Sequence, residues 1–146
     1  MNKNLLNPET VTVEVIIDAP LEKVWKCWTE PKHVIHWNFA SADWESPYGE
    51  NDLKIGGKFN YRMQAKDGSF GFDFVGKYTN IKELELIEYV LDDNRHVKIF
   101  FTKTPHGIKV REIFEIEKIN PQAMQQKGWQ AILDNFKKYT ENTNQS

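Results

Sequence analysis

From Val11 onward the chain alternates strictly: Val11, Val13, Val15 and Ile17 share one face of an extended strand, while Thr12 and Glu14 take the other. Ala19-Pro20 stops that strand, and proline suits the first turn of a helix. Leu21, Val24, Trp25 and Trp28 follow at spacings of three and four residues, which gathers them into one helical stripe. Glu30-Pro31 interrupts the helix, and a second short one carries Val34, Ile35 and Trp37.

Beyond position 40 the period returns to two. Residues 40–46 hold a weak strand around Trp44, and SPYGENDLKIGG reads as a loop closing on Gly56-Gly57. Phe59, Tyr61 and Met63 alternate over residues 58–64, and Asp67-Gly68 marks a hairpin turn. Phe70, Phe72 and Phe74 alternate on the return strand until Gly76, which permits a bulge or bend. Three more alternating sets follow, with turns at Asp92-Asp93-Asn94 and Pro105-His106-Gly107 between them: Ile87, Tyr89, Leu91; Val97, Ile99, Phe101; and Ile108, Val110, Phe114, Ile116. Short turns between alternating runs predict an antiparallel meander with one buried face.

Asn120-Pro121 predicts a helix start, a capping residue before proline at the first helical position. Met124, Gly128, Trp129, Ile132, Leu133 and Phe136 then lie on one side of a helix reaching about Tyr139. Gly128 on that side predicts close approach to the sheet, and residues 140–146 read as a frayed tail. The sheet's apolar face and the helix's apolar stripe bury each other if the helix lies across a curved sheet. The expected architecture is therefore α+β: a curved antiparallel sheet of about six or seven strands, two short helices near the N-terminus, and a long C-terminal helix across the sheet. A straight helix need not follow a curved sheet along its whole length, so an internal cavity is expected between them. Residues 10–140 read as one domain, with 1–9 and 141–146 as flexible termini.

The order of these elements resembles the START-like (SRPBCC) helix-grip superfamily. The segments DAPLEKVWKCWTEPKHVIHW, LKIGGKFNYRM, DGSFGFDFVGKY, LIEYVLDDNR and GWQAILDNFKKY narrow the resemblance. Together they are similar to the bacterial single-domain members of the family named after activators of the heat-shock-protein-90 ATPase. The likeness runs from about Thr10 to Tyr139, and it implies the helix-grip fold and a cavity of the kind that holds apolar ligands.

Composition limits the partners. Nineteen Lys and Arg against twenty-one Asp and Glu give a formal net charge of −2, so no global field favours nucleic acid. With one cysteine, Cys27, no intramolecular disulfide can form, which fits a reducing compartment and makes cytoplasm the expected location. Cys27 itself reads as a packing or surface thiol. No run is long and apolar enough for membrane insertion. Aromatic residues reach 13%, enough either to fill a core or to line a pocket for a flat apolar molecule.

Few residues carry candidate chemistry. There is no phosphate-binding glycine loop and no serine-nucleophile elbow, so no nucleotide or other cofactor is expected. His33 and His36 lack a third ligand in sequence and read as partly solvated histidines beside Trp37, so no metal is expected. Asp73 alternates away from the phenylalanines onto a solvated face, and His96 and His106 lie at turns. Glu112 is the exception. It shares the phase of Val110 and Phe114, so alternation aims its carboxylate at the apolar face unless a bulge turns it outward.

The expected function is binding of a small hydrophobic or aromatic molecule between the C-terminal helix and the sheet, without established catalysis. The expected ligand-binding residues are Trp37, Trp44, Phe59, Tyr61, Phe72, Phe74, Tyr89, Phe101, Glu112, Trp129 and Leu133. The alternatives are a cyclase- or aromatase-like enzyme with Glu112 as acid/base, and a chaperone-linked protein partner implied by the resemblance.

Overall fold

The computed structural model describes residues 9–143. Strand β1 (Thr10–Ile17) leads into helices α1 (Leu21–Thr29) and α2 (Pro31–Val34). Seven strands follow: β2 (Trp44–Glu45), β3 (Gly49–Asn51), β4 (Lys58–Ala65), β5 (Gly71–Lys82), β6 (Leu86–Leu91), β7 (His96–Thr104) and β8 (Gly107–Glu115). Helix α3 (Gln122–Asn142) closes the fold. The strands form one antiparallel sheet in the order β1-β8-β7-β6-β5-β4-β2, with β3 also on β4. The architecture is α+β, a curled antiparallel sheet gripping a C-terminal helix, as the alternation predicts.

Alternation decides which side of the sheet is inside. Val11, Val13 and Ile17 of β1, Ile87, Tyr89 and Leu91 of β6, and Val97, Ile99 and Phe101 of β7 are all buried. Their neighbours in sequence are less buried in nearly every case. Helix α3 packs chiefly along β1. Gln130 Nε2 donates to the Glu14 carbonyl, Lys137 Nζ to the Ile16 carbonyl, and the Asp18 N–H to a Glu141 carboxylate oxygen. An edge strand's free carbonyls need partners, and α3 supplies two of them. Tied to this edge, the helix cannot also follow the sheet round to β4 and β5. Helices α1 and α2 and the turn after them fill one end of the gap with Trp25, Trp28 and Trp37, packed on Phe101 and Phe136.

Several local expectations are corrected. The segment read as loop contains β3, whose Asn51 donates to the Thr29 carbonyl at 2.6 Å and accepts the Tyr78 hydroxyl at 2.6 Å. The irregularity in β5 falls between Tyr78 and Asn80, not at Gly76. Gly76 is needed for close approach instead: a Cβ there would stand 2.3 Å from the Phe59 ring. Gly128 has no such role, since nothing lies within 4 Å of where its Cβ would be. Pro121, not Asn120, occupies the cap position of α3, and the Asn120 side chain bonds Glu117. The helix runs on to Asn142 with Thr140 fully buried, so residues 140–142 are not a frayed tail. The termini read as flexible lie mostly outside the described residues.

Candidate ligand cavity

A cavity of about 280 Å³ lies between α3 and the β4–β6 half of the sheet. Phe59 and Tyr61 of β4 and Phe74 of β5 form much of its floor, and Tyr89 of β6 continues it toward β8. Phe59 meets Tyr89 edge-on with ring centroids 4.8 Å apart. Above them Trp129 of α3 forms the roof, stacked on Phe114 at 4.0 Å and 8° and edge-on to Phe74 at 6.3 Å. These are the offset and edge-to-face geometries that aromatic quadrupoles favour, so the rings are held in place without being squeezed together. Trp129 is only half-buried, less than its place in the helical stripe suggests, because one side of its ring borders this space.

Glu112 stands inside. Its register is unbroken on both sides, opposite Val13 of β1 and Ile99 of β7, so no bulge turns it outward. It is 6% exposed and lines the cavity. No hydrogen bond or ion pair reaches its carboxyl among the described residues. Burial without a partner disfavours the charged form and pushes the group up to about 8. Tyr89 is raised by its own burial and then by the nearby Glu112 charge. Tyr61, also 6% exposed, has a hydroxyl with no partner among the described residues, and burial raises it too. Tyr78 differs, because its hydroxyl is taken by Asn51.

At the mouth the walls turn polar. Arg95 is held by the Asp93 carboxylate at 2.8 Å. Glu117 and Asn120 are gathered by Gln125, whose amide donates to the carbonyls of both residues. Gln125 also accepts the Glu117 N–H at 2.9 Å, fixing the β8–α3 connection over the opening. None of these mouth residues was apparent from periodicity, since each sits in a turn or a helix start where no hydrophobic phase exists.

Of the residues singled out from sequence, Trp37, Phe59, Tyr61, Phe72, Phe74, Tyr89, Glu112 and Trp129 border the cavity. Three do not. Phe101 is packed solid against Trp25 and Trp28, and Leu133 is fully buried in the core beyond the cavity end. Trp44 lies half-buried on the β4 edge against Phe70 and Phe72. Phe70 precedes β5 and is 63% exposed; Phe74 lines the interior, while Phe72 borders the cavity and is also 40% exposed. Trp28, Val34, Met63, Ile87 and Ile132 complete the apolar lining.

The histidines separate. His33 is 1% exposed rather than partly solvated, with Nδ1 2.6 Å from the Tyr139 hydroxyl, and burial lowers its pKa. His36 is exposed and stacks on the Tyr139 ring. No third metal-ligating side chain joins them among the described residues. Cys27 is buried, and its thiol is pushed up by that burial.

A curled antiparallel sheet closed by a C-terminal helix over an apolar cavity defines the START-like helix-grip class, a ligand-binding type of fold. The family model for activator of Hsp90 ATPase homolog 1-like proteins matches residues 18–141, and the chain belongs to that family. An AHSA1-like protein from Aeromonas hydrophila superimposes with a TM-score of 0.85 at 39% identity, over 94% of this chain and 99% of that one. A protein from Cytophaga hutchinsonii is 50% identical, with a TM-score of 0.76 and 92% of each chain covered. A third, from Chromobacterium violaceum, has a TM-score of 0.82 at 21% identity over 92% of this chain and 98% of that one, a likeness of fold alone. No curated protein matches the sequence. Among the described residues no helix is long and apolar enough to cross a membrane.

Proposed function

We propose that this protein binds a small hydrophobic or aromatic molecule in the cavity beneath α3, as a single ligand-binding domain over residues 10–140 acting in the cytoplasm. The observation that carries the reading is the unfilled space of about 280 Å³ with rings on floor and roof. An apolar void of that size forfeits the packing contacts its lining would otherwise make, a cost that a bound apolar molecule removes. Rings fixed by edge and stacking contacts also need little ordering when a flat ligand enters, which favours affinity.

The test is saturable uptake of N-phenyl-1-naphthylamine, an uncharged fluorescent probe, with a concentration-dependent rise in Tm as mass action requires. Ile132→Trp fills the space from α3 and should abolish both effects while leaving the fold intact. Uptake that does not saturate, or that Ile132→Trp leaves unchanged, would count against the cavity as the binding site.

A further inference from the structure

The cavity has one feature that an apolar container does not need. Glu112 and Tyr61 are both at least nine-tenths buried and both line the space; among the described residues the Tyr61 hydroxyl is fully buried without a partner, and no hydrogen bond or ion pair reaches the Glu112 carboxyl. Buried polar groups are nearly always paired, so two that are left open in one cavity call for an external partner. Accepting that the cavity binds a ligand, we infer that Glu112 is the ligand's polar anchor: its neutral carboxyl donates a hydrogen bond to an acceptor atom, such as a carbonyl oxygen or ring nitrogen, on an otherwise apolar and uncharged molecule.

The surroundings of Glu112 decide the sign of its charge. Val13 of β1 and Ile99 of β7 lie opposite it and carry no charge. From β6 and the turn after it come Tyr89 and Arg95; from β5 and β4 come Tyr78 and Tyr61; beyond β8 lies Glu117; from α3 the lining is Gln125, Trp129 and Ile132; from α1, α2 and the segment after α2 it is Trp28, Val34, Trp37 and Asn38. Arg95, the single cation on the wall among the described residues, is engaged by Asp93 and forms no ion pair with Glu112. Nothing in this set supplies a compensating positive charge, so the neutral acid is the form that burial favours at neutral pH. A neutral carboxyl keeps an O–H to donate, whereas the ionised group only accepts. Ligand and proton are then coupled: an acceptor bound to the neutral acid holds its proton more tightly, and loss of the proton at higher pH releases the acceptor.

Four probes with one ring system separate the outcomes: naphthalene, 2-acetonaphthone (a carbonyl acceptor), 2-naphthylmethylammonium (a cation) and 2-naphthoate (an anion). At pH 6 the wild type should bind 2-acetonaphthone about ten-fold or more tightly than naphthalene, the effect of pairing an otherwise open buried donor. That preference should disappear by about pH 9, after Glu112, pushed up to about 8, has ionised. Glu112→Gln keeps an N–H donor and should retain the preference at both pH values. Glu112→Leu should bind both neutral probes alike. Naphthalene binding with no preference for the ketone would overturn the anchor and leave the cavity reading standing. Preference for the ammonium probe, growing as pH rises through 8, would overturn it in favour of a carboxylate that pairs with cations. Binding of no probe by the folded wild-type protein would remove both readings.

Discussion

Glu112 sets the pH behaviour of the folded protein. In the unfolded chain its carboxyl titrates near 4.5, and in the folded state burial moves it to about 8. Below 4.5 both states hold the proton and the group adds no pH dependence to stability. Between 4.5 and about 8 the unfolded chain alone releases it, so stability falls by roughly 1.4 kcal/mol per pH unit from this group. Above that window both states are ionised and the loss levels off. Glu112→Gln should flatten the slope, and Glu112→Leu should raise stability at pH 8 because it removes the buried acid altogether. Urea unfolding at pH 5 and pH 8 checks the sign; equal slopes for wild type and Glu112→Gln would place the carboxyl in contact with solvent. Alternation alone pointed this carboxyl inward, but only the unbroken register on both sides excludes a bulge. Alternation also placed Tyr61 inward among the expected lining, but its open hydroxyl could not be foreseen, because an inward tyrosine usually finds a partner and periodicity says nothing of where its hydroxyl ends.

Elements were legible wherever a period persisted for five residues or more. The strands carrying Phe59, Tyr61 and Met63, or Val97, Ile99 and Phe101, announce themselves, since a one-residue slip would expose every ring. The short β3 has no such period and owes its place to Asn51, a long-range clamp that sequence spacing cannot show. Gly76 is a like case. It looks like a bulge former, yet its role depends on a ring from the neighbouring strand. Gly76→Ala should push the Phe59 ring toward the cavity, cost about 1–3 kcal/mol and weaken probe uptake. Gln125→Ala cuts three hydrogen bonds that fasten the β8–α3 connection, and should lower the urea midpoint by an amount equivalent to about 1–3 kcal/mol. An unchanged midpoint would mean that α3 starts without help from this clip.

At the level of the whole molecule, the cavity follows from a conflict between two shapes. Helix α3 is bonded along β1, while the sheet curls away toward β4 and β5, and α1 and α2 close only one end of the gap. The aromatic excess is thereby divided: Trp25, Phe101 and Phe136 make solid core, and Trp37, Phe59, Phe74, Tyr89 and Trp129 border open space. No pattern in the chain draws that line, because both groups have the same inward phase. Trp129 shows the difference in energy. Half-buried on Phe114, it should cost about 1–3 kcal/mol on Trp129→Ala, less than the 3–5 kcal/mol typical of a fully packed aromatic, and uptake should fall with it.

The central claim is that ligand enters this space and not the exposed apolar surface of the molecule. Trp44, Phe70 and Phe72 form a rival cluster on the β4–β5 hairpin, where a hydrophobic probe could adhere from outside. An NMR titration of isotope-labelled protein with 2-acetonaphthone separates the two sites in one measurement. Intermolecular NOEs to the rings of Phe59, Tyr61, Tyr89 and Trp129, with saturable shifts along β4, β6 and α3, are the predicted result. NOEs confined to Trp44 and Phe70, or shifts that grow linearly without saturating, would contradict it.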